Sequence, residues 1–269
     1  MNEVWNKAVS YFTDMGVSRG VAITYIIVSA LLVVMALVAL VMRIIVIINY
    51  KDANKRKTSS GKNSCEIARE VLDRAGMKDV KIKKAGFFRW LFIGNSYSIS
   101  QKTIFLRKNI FEKDSVTAAT LALQKVGVAK LHKDGKKSVG IRNVAQILSL
   151  IGPILFVPVV LAGFIVDFVF FGVFGMFSVI GIVVGLVFVL SGFVATMLNI
   201  PVEKKANGIA MKLIKETGVL NEEEQAAAKK VLDSYIVAYV CEFIVAILRV
   251  IQIVLEVVMN VQINNSNSN

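Results

Sequence analysis

Residues 22–42 contain no charged side chain, and the apolar run continues to 48 around the lone Arg43. Such a stretch can be buried on all sides in a large core, or it can cross a bilayer. Crossing a hydrocarbon core of ~30 Å takes about 20 apolar helical residues. Three further runs are long enough, at 144–167, 171–200 and 235–258. The chain is 55% hydrophobic with a mean hydropathy of +0.64. Ordinary soluble domains lie near 45–50%, so there is too little polar sequence to cover four such helices with protein. The runs predict a mainly α membrane protein with about four transmembrane helices. The first run is too long for a signal-peptide core and lacks a small-residue cleavage site after it, so it reads as a retained anchor.

The spans divide the chain. Residues 1–21 form a short extracytoplasmic segment and 22–49 the first transmembrane helix. Residues 50–143 form a small cytoplasmic domain, and 144–200 hold helices two and three. Residues 201–234 are a cytoplasmic helical segment, 235–258 the fourth transmembrane helix, and 259–269 a disordered extracytoplasmic tail. The orientation comes from charge. The chain carries a formal net charge of +13. Residues 51–64 hold five Lys/Arg against one Asp, 125–142 six against one Asp, and 201–215 four Lys against one Glu. The tail after 258 and the turn between the second and third runs have none. Cytoplasmic loops concentrate Lys and Arg, so both termini are expected outside and the main domain inside, in a plasma membrane. Anionic lipids on that face attract each such cation by ~1 kcal/mol. The charge is thus read as topology and lipid contact, and no nucleic-acid module accompanies it. The two cysteines fall in different segments and suggest no disulfide framework.

Several local signals place elements. Asn63 with Glu66 is a capping box that opens a helix, and Gly76 closes it. VKIKK is a short strand, and SYSIS with TIFLR a strand pair around Gln101–Lys102. Asp114 or Ser115 caps a helix over 114–133. Pro153 and Pro158 are expected to kink the second span. Asn221 and Glu224 form a second capping box, whose helix runs on into the fourth span. Two readings stand for GFFRWLFIGN: a domain core, or a segment dipping into the headgroup layer at Arg89 and Trp90. Lys55, Arg56 and Lys57 lie in a flexible basic linker at the membrane surface. Gly181 and Gly185 allow close helix packing in lipid, with a dimer face as one use. Glu242, Arg249, Gln252 and Glu256 fall on one face of the fourth span. Charges in a span rarely face lipid, so this stripe is either a structural seam or a functional surface.

The order of these parts, with the stretches CEIAREVLDRAGMKDVKI, KTIFL, QKVGVAKLH, GIRN, NIPVEKKAN and VLDSYIVAYV, resembles the YugP-type membrane zinc metallopeptidases of bacteria, the zinc-dependent peptidase 2 family. The resemblance implies a zincin-like α+β cytoplasmic domain and a zinc site on the helix around QKVGVAKLH. That stretch has the spacing of the family's His-Glu-Val-Gly-His-Ala-x-x-His. Gln124 then stands at the first zinc histidine, Lys125 at the general-base glutamate and Val128 at the second histidine. Glutamine is a poor zinc ligand, valine has no ligand atom, and a lysine repels Zn²⁺. His132 and Glu203 remain as remnant metal-ligand candidates, Glu203 at the position the resemblance gives to the acidic third ligand. A catalytic zinc takes three protein ligands and water, so no zinc or other cofactor is expected. For Glu203 an ion pair with Lys125 or Lys205 is the alternative use, and for His132 an interaction with the helix terminus.

These readings favour a non-catalytic pseudopeptidase, a scaffold or regulatory subunit that partners another membrane protein or a second copy of itself. One alternative is an active metallopeptidase with an unforeseen ligand set of carboxylates and Cys65. Another is an anionic-lipid-binding, membrane-organising protein. A transporter or channel rests on the span-four stripe alone.

Overall fold

A computed structural model describes residues 2–172 and 175–267, so the two residues that follow Gly172 in the expected second turn lie outside the described residues. The chain is mostly helical with one small sheet. It divides into two compact units, residues 1–45 with 237–269, and 46–236. Among the described residues two helices, α2 (Arg19–Lys55) and α9 (Glu222–Asn267), are long and apolar enough to cross a membrane. Each runs through a unit boundary.

In the first unit, α1 (Asn2–Asp14) turns at Gly16 into α2. The end of α9 closes on that turn. Gln262 accepts from the Ser18 backbone N–H at 2.9 Å and donates to the Ser18 hydroxyl at 3.3 Å. Val17, Ala22 and Met259 are buried together, with Phe12, Tyr25 and Ile263 packed around them. The tail expected to be disordered from 259 is therefore helical through Asn267. Its polar composition misleads because its partners lie at the other end of the sequence.

The second unit holds the small domain. The capping box at Asn63 and Glu66 forms as the sequence suggests, opening α3 (Ser64–Arg74). Strand β1 (Lys81–Lys84) follows, then a short helix α4 (Phe87–Phe92), then β2 (Ser96–Ser98) and β3 (Thr103–Leu106). β3 is central, parallel to β1 with Ile82 opposite Ile104, and antiparallel to β2 with Tyr97 opposite Ile104. Lys102 turns the hairpin at a φ of 45°. A one-turn helix α5 (Lys108–Phe111) leads to α6 (Val116–Lys133). Ser115, not Asp114, is the cap, its hydroxyl accepting from the Ala118 N–H at 3.3 Å.

Helix α7 (Lys137–Phe171) is continuous through Pro153 and Pro158, and α8 (Met176–Thr217) through Pro201. The two pack along each other. Asp167 is 1% exposed and ties their turn, accepting from the Gly175 N–H at 3.0 Å and from the Ser178 N–H at 2.6 Å. Such an acceptor satisfies donors that the first turn of a helix leaves unpaired.

The 201–234 segment is helical as expected, and its second half runs on into the apolar part of α9; what differs is that its first half is not a separate helix. That half is the continuation of α8, closed by Gly218 at a φ of 63°. Both halves enter the same core as the 50–143 domain, through Val202, Ala206, Ile214, Leu220 and Val231 against Leu72, Ile104, Leu123 and Val126. A proline, a glycine and a run of lysines read locally as a boundary. The buried face they interrupt is continuous.

Candidate functional site

Helix α6 is almost wholly buried along its length. A helix with an apolar surface all round belongs inside a core, and this one runs between α3, the sheet and α8. Gly127 sets the approach to α8, since a Cβ there would lie 2.2 Å from the Ala206 carbonyl oxygen. That contact brings the polar residues of α6 opposite 203–207.

Gln124 and Lys125 are 5% and 7% exposed, and each meets a partner on α8. Gln124 Nε2 donates to Asn207 Oδ1 at 3.0 Å, and Asn207 Nδ2 donates to the Leu232 carbonyl at 3.4 Å. Lys125 Nζ donates to Glu203 Oε1 at 3.3 Å. Arg142, on the first turns of α7, donates to the same oxygen at 3.0 Å. Two cations thus converge on one carboxylate oxygen, with all three side chains under 10% exposed. In a low-dielectric interior the mutual attraction counters the cost of dehydration, and removing one partner would leave an uncompensated buried charge. Burial pushes the Lys125 ammonium below the usual lysine range, and the Arg142 charge adds to that shift. Glu203 opposes it.

His132, the chain's only histidine, faces elsewhere. Its Nδ1 shares a 3.0 Å hydrogen bond with the Tyr97 hydroxyl of β2. Val128 is fully buried among apolar neighbours. Arg142, Asn207 and Tyr97 were not singled out from sequence. Arg142 lies within a basic run read as a topology signal, and only its place three residues after the apolar Val139, which is buried, hints that it faces inward.

The donor set does not fit a catalytic zinc. Glu203 Oε2 is buried without a hydrogen-bond partner among the described residues, so it is one ligand atom still available. Three protein ligands are required. Gln124 is engaged by Asn207 and His132 by Tyr97, while Val128 carries no ligand atom. The side chains bonded to Glu203 Oε1 are the Arg142 guanidinium and the Lys125 amine, which donate hydrogen bonds and offer no ligand lone pair to a metal. Among the described residues no three His, Cys, Asp or Glu side chains group in a way that could hold a metal ion.

The other residues singled out from sequence fall in three places. Glu242, Gln252 and Glu256 turn toward α2 within the first unit. Glu242 pairs with Arg43 at 2.9 Å, Gln252 donates to Ser29 at 3.2 Å, and Glu256 accepts from Tyr25 at 3.4 Å. Arg249 donates to Gln252 on its own helix. Gly181 packs against α7 of the same chain, where a Cβ would lie 3.0 Å from the Val159 carbonyl, and Gly185 is buried. Lys55, Arg56 and Lys57 do not form a loose linker. Lys55 ends α2, Arg56 pairs with Asp52, and Lys57 pairs with Asp114 and bridges to Ser115. Arg89 stacks over the Phe105 ring at 4.0 Å and donates to the Ser96 hydroxyl. Trp90 is 42% exposed, with Phe87 and Phe88 more so, which places these three aromatics outside the core.

No solved structure matches the chain. One curated relative, named "Putative membrane protease YugP" from Bacillus subtilis (strain 168), is 24% identical over 203 residues, covering 74% of this chain and 82% of its own. A family model described as "Putative neutral zinc metallopeptidase" matches residues 25–258. The match spans α2 through most of α9 and so includes the buried Gln124, Lys125 and Glu203 cluster, and the chain belongs to that zinc-dependent peptidase 2 family.

Proposed function

We propose that this chain is a non-catalytic member of its family, a membrane-embedded pseudopeptidase that acts as a scaffold or regulatory subunit for another membrane protein or for a second copy of itself. One observation carries the reading. The carboxylate of Glu203 is engaged by Lys125 and Arg142, while Gln124 is engaged by Asn207. The residues that would hold and activate a metal-bound water instead tie α6, α7 and α8 together. The family's metal would be replaced by two organic cations, so the chain would need no zinc.

The same reading places the protein in a plasma membrane with about four spans, both termini outside and the main domain facing the cytoplasm. Two things support it: the Lys/Arg asymmetry, and the pairing of Ser18 with Gln262, which holds the two ends of the chain together. The lysines and arginines on the inner face would contact anionic lipid, and nucleic acid is not a partner.

Purified protein tests the central claim. Zinc well below one ion per chain by elemental analysis, and no chelator-sensitive cleavage of casein or membrane peptides, are expected. Stoichiometric zinc together with chelator-sensitive turnover would mean an active enzyme with a ligand set of its own.

A further inference from the structure

Helix α4 is a single short element with an unusual surface. Phe87 is 68% exposed, Phe88 76%, Trp90 42% and Leu91 49%. The rings of Phe87 and Phe88 meet edge to face, and Phe87 lies against Trp90. They form one contiguous apolar knob instead of scattered exposed residues, and such a patch on a soluble surface marks an interaction site.

The knob is held rigidly. Arg89, between Phe88 and Trp90 in sequence, points the other way and stacks on Phe105 of β3 while bonding Ser96 of β2. α4 therefore lies over the outer face of the sheet. The strand register puts Lys83 beside Phe105 and Lys81 beside Thr103, so both lysines stand on that outer face. Both are exposed. Two exposed ammonium groups thus share the sheet face over which α4 lies.

Its position within the second unit supplies the second argument. The Tyr97 carbonyl, next to Ser96, accepts from Asn143 Nδ2 at 3.1 Å. Asn143 directly precedes the apolar run of α7, whose Val144 and Ile147 are 60% and 51% exposed. The sheet edge that carries α4 is thus bonded to the residue at which α7 becomes apolar. Aromatic side chains at such a junction favour the headgroup layer, where a ring is half in hydrocarbon and a polar tip stays wet. Exposed lysines beside it match anionic headgroups.

We infer that α4 is a wedge that inserts Phe87, Phe88 and Trp90 into the interfacial layer of an anionic bilayer, with Lys81 and Lys83 on the headgroups. This fixes the domain against the membrane at the root of α7. The inference rests on α7 entering the bilayer near Val144, but not on loss of catalysis.

The chain has two tryptophans, so the Trp5→Phe full-length protein reports from Trp90 alone. It is reconstituted in vesicles of phosphatidylcholine and phosphatidylglycerol. Expected are a blue-shifted emission, strong quenching by lipid brominated near the carbonyl end of the acyl chain, and several-fold weaker acrylamide quenching than in free tryptophan. In Phe87→Ser/Phe88→Ser, whose side chains are exposed, the bromolipid quenching falls while the circular dichroism is unchanged. With phosphatidylcholine alone, or in Lys81→Gln/Lys83→Gln, it falls partway. A control with Ile147→Trp in a Trp5→Phe/Trp90→Phe background reports on α7 by itself. Bromolipid quenching at position 147 with Trp90 open to acrylamide overturns the wedge and leaves the span intact. Trp90 open in vesicles but shielded in native membranes assigns the knob to a protein partner and overturns the lipid assignment.

Discussion

Neutralising Glu203 and neutralising Lys125 have different consequences, although the two side chains pair. Glu203→Gln leaves Lys125 and Arg142 buried with no carboxylate between them. An uncompensated buried charge costs about 3–5 kcal/mol. Lys125→Met leaves Glu203 with Arg142 at 3.0 Å and replaces an amine with an apolar chain of similar length, so its cost should be less than half as large. Denaturation of both variants in mild detergent gives the order; equal losses would remove the shared-carboxylate account. The Lys125 amine also gives a pH signature. Its folded-state pKa is depressed, chiefly by burial. The unfolded chain therefore holds this proton more tightly, and stability rises with pH between the depressed value and the ordinary lysine value of about 10.4. Wild type should gain on Lys125→Met as pH is raised from 7 toward 10; a constant difference in melting temperature would count against it. The same cluster gives a gain-of-metal experiment. Gln124→His, Lys125→Glu and Val128→His together restore two histidines one turn apart beside Glu203, which is three ligands and a base. Stoichiometric zinc in that variant is expected, and a folded variant without zinc would mean that 203 does not face the former site.

The contact between α6 and α8 makes two glycines behave oppositely. At Gly127 an added methyl meets the Ala206 carbonyl at 2.2 Å, and backbone must move. The usual helix gain of about 1 kcal/mol for Gly→Ala is then outweighed, and Gly127→Ala should lose about 1–3 kcal/mol by overpacking. Gly208, two residues on along α8, has nothing within 4 Å, so Gly208→Ala should gain about 0.5–1 kcal/mol. Chemical denaturation reads both, and the same sign for the two would break the account. Elements of this kind were legible where the signal is local. Asn63 with Glu66, Asn221 with Glu224, the Lys102 turn and the helix around Gln124 all follow from residues within a few positions of one another. The misread elements are those whose partners are distant in sequence. The 201–217 half of α8 reads as a new segment because Pro201 and four lysines interrupt it, yet Val202 and Ala206 continue one buried face. The 87–92 stretch reads equally as core or surface, because nothing in the stretch itself says that Arg89, not the rings, turns inward onto Phe105.

At the scale of the molecule, a chain with basic loops on one side of its apolar helices and bare ends on the other has one favoured orientation. That argument uses only composition. The Ser18–Gln262 tie is independent of it, because it depends on a contact between the two ends of the chain and not on their charge. Helix termini bonded in this way cannot lie on opposite faces of a bilayer, since a hydrocarbon core of ~30 Å would separate them. On the proposed orientation the charge rule would give the sign and the contact the parity, and an even number of crossings would satisfy both. α2 and α9, both long and apolar enough, would account for two of them, and α7 with α8 for the other two if the hairpin tied at Asp167 inserts. Single cysteines in a Cys65→Ser/Cys241→Ser background separate these cases. With an impermeant maleimide on intact cells, Ser10→Cys and Asn265→Cys should label, and Lys136→Cys should label only after lysis. Gly172→Cys, at the exposed turn after α7, decides the hairpin: labelling on intact cells means four crossings, and labelling only after lysis means that α7 and α8 stay on the inner face and the chain crosses twice. Opposite accessibility at positions 10 and 265 would contradict the Ser18–Gln262 tie itself.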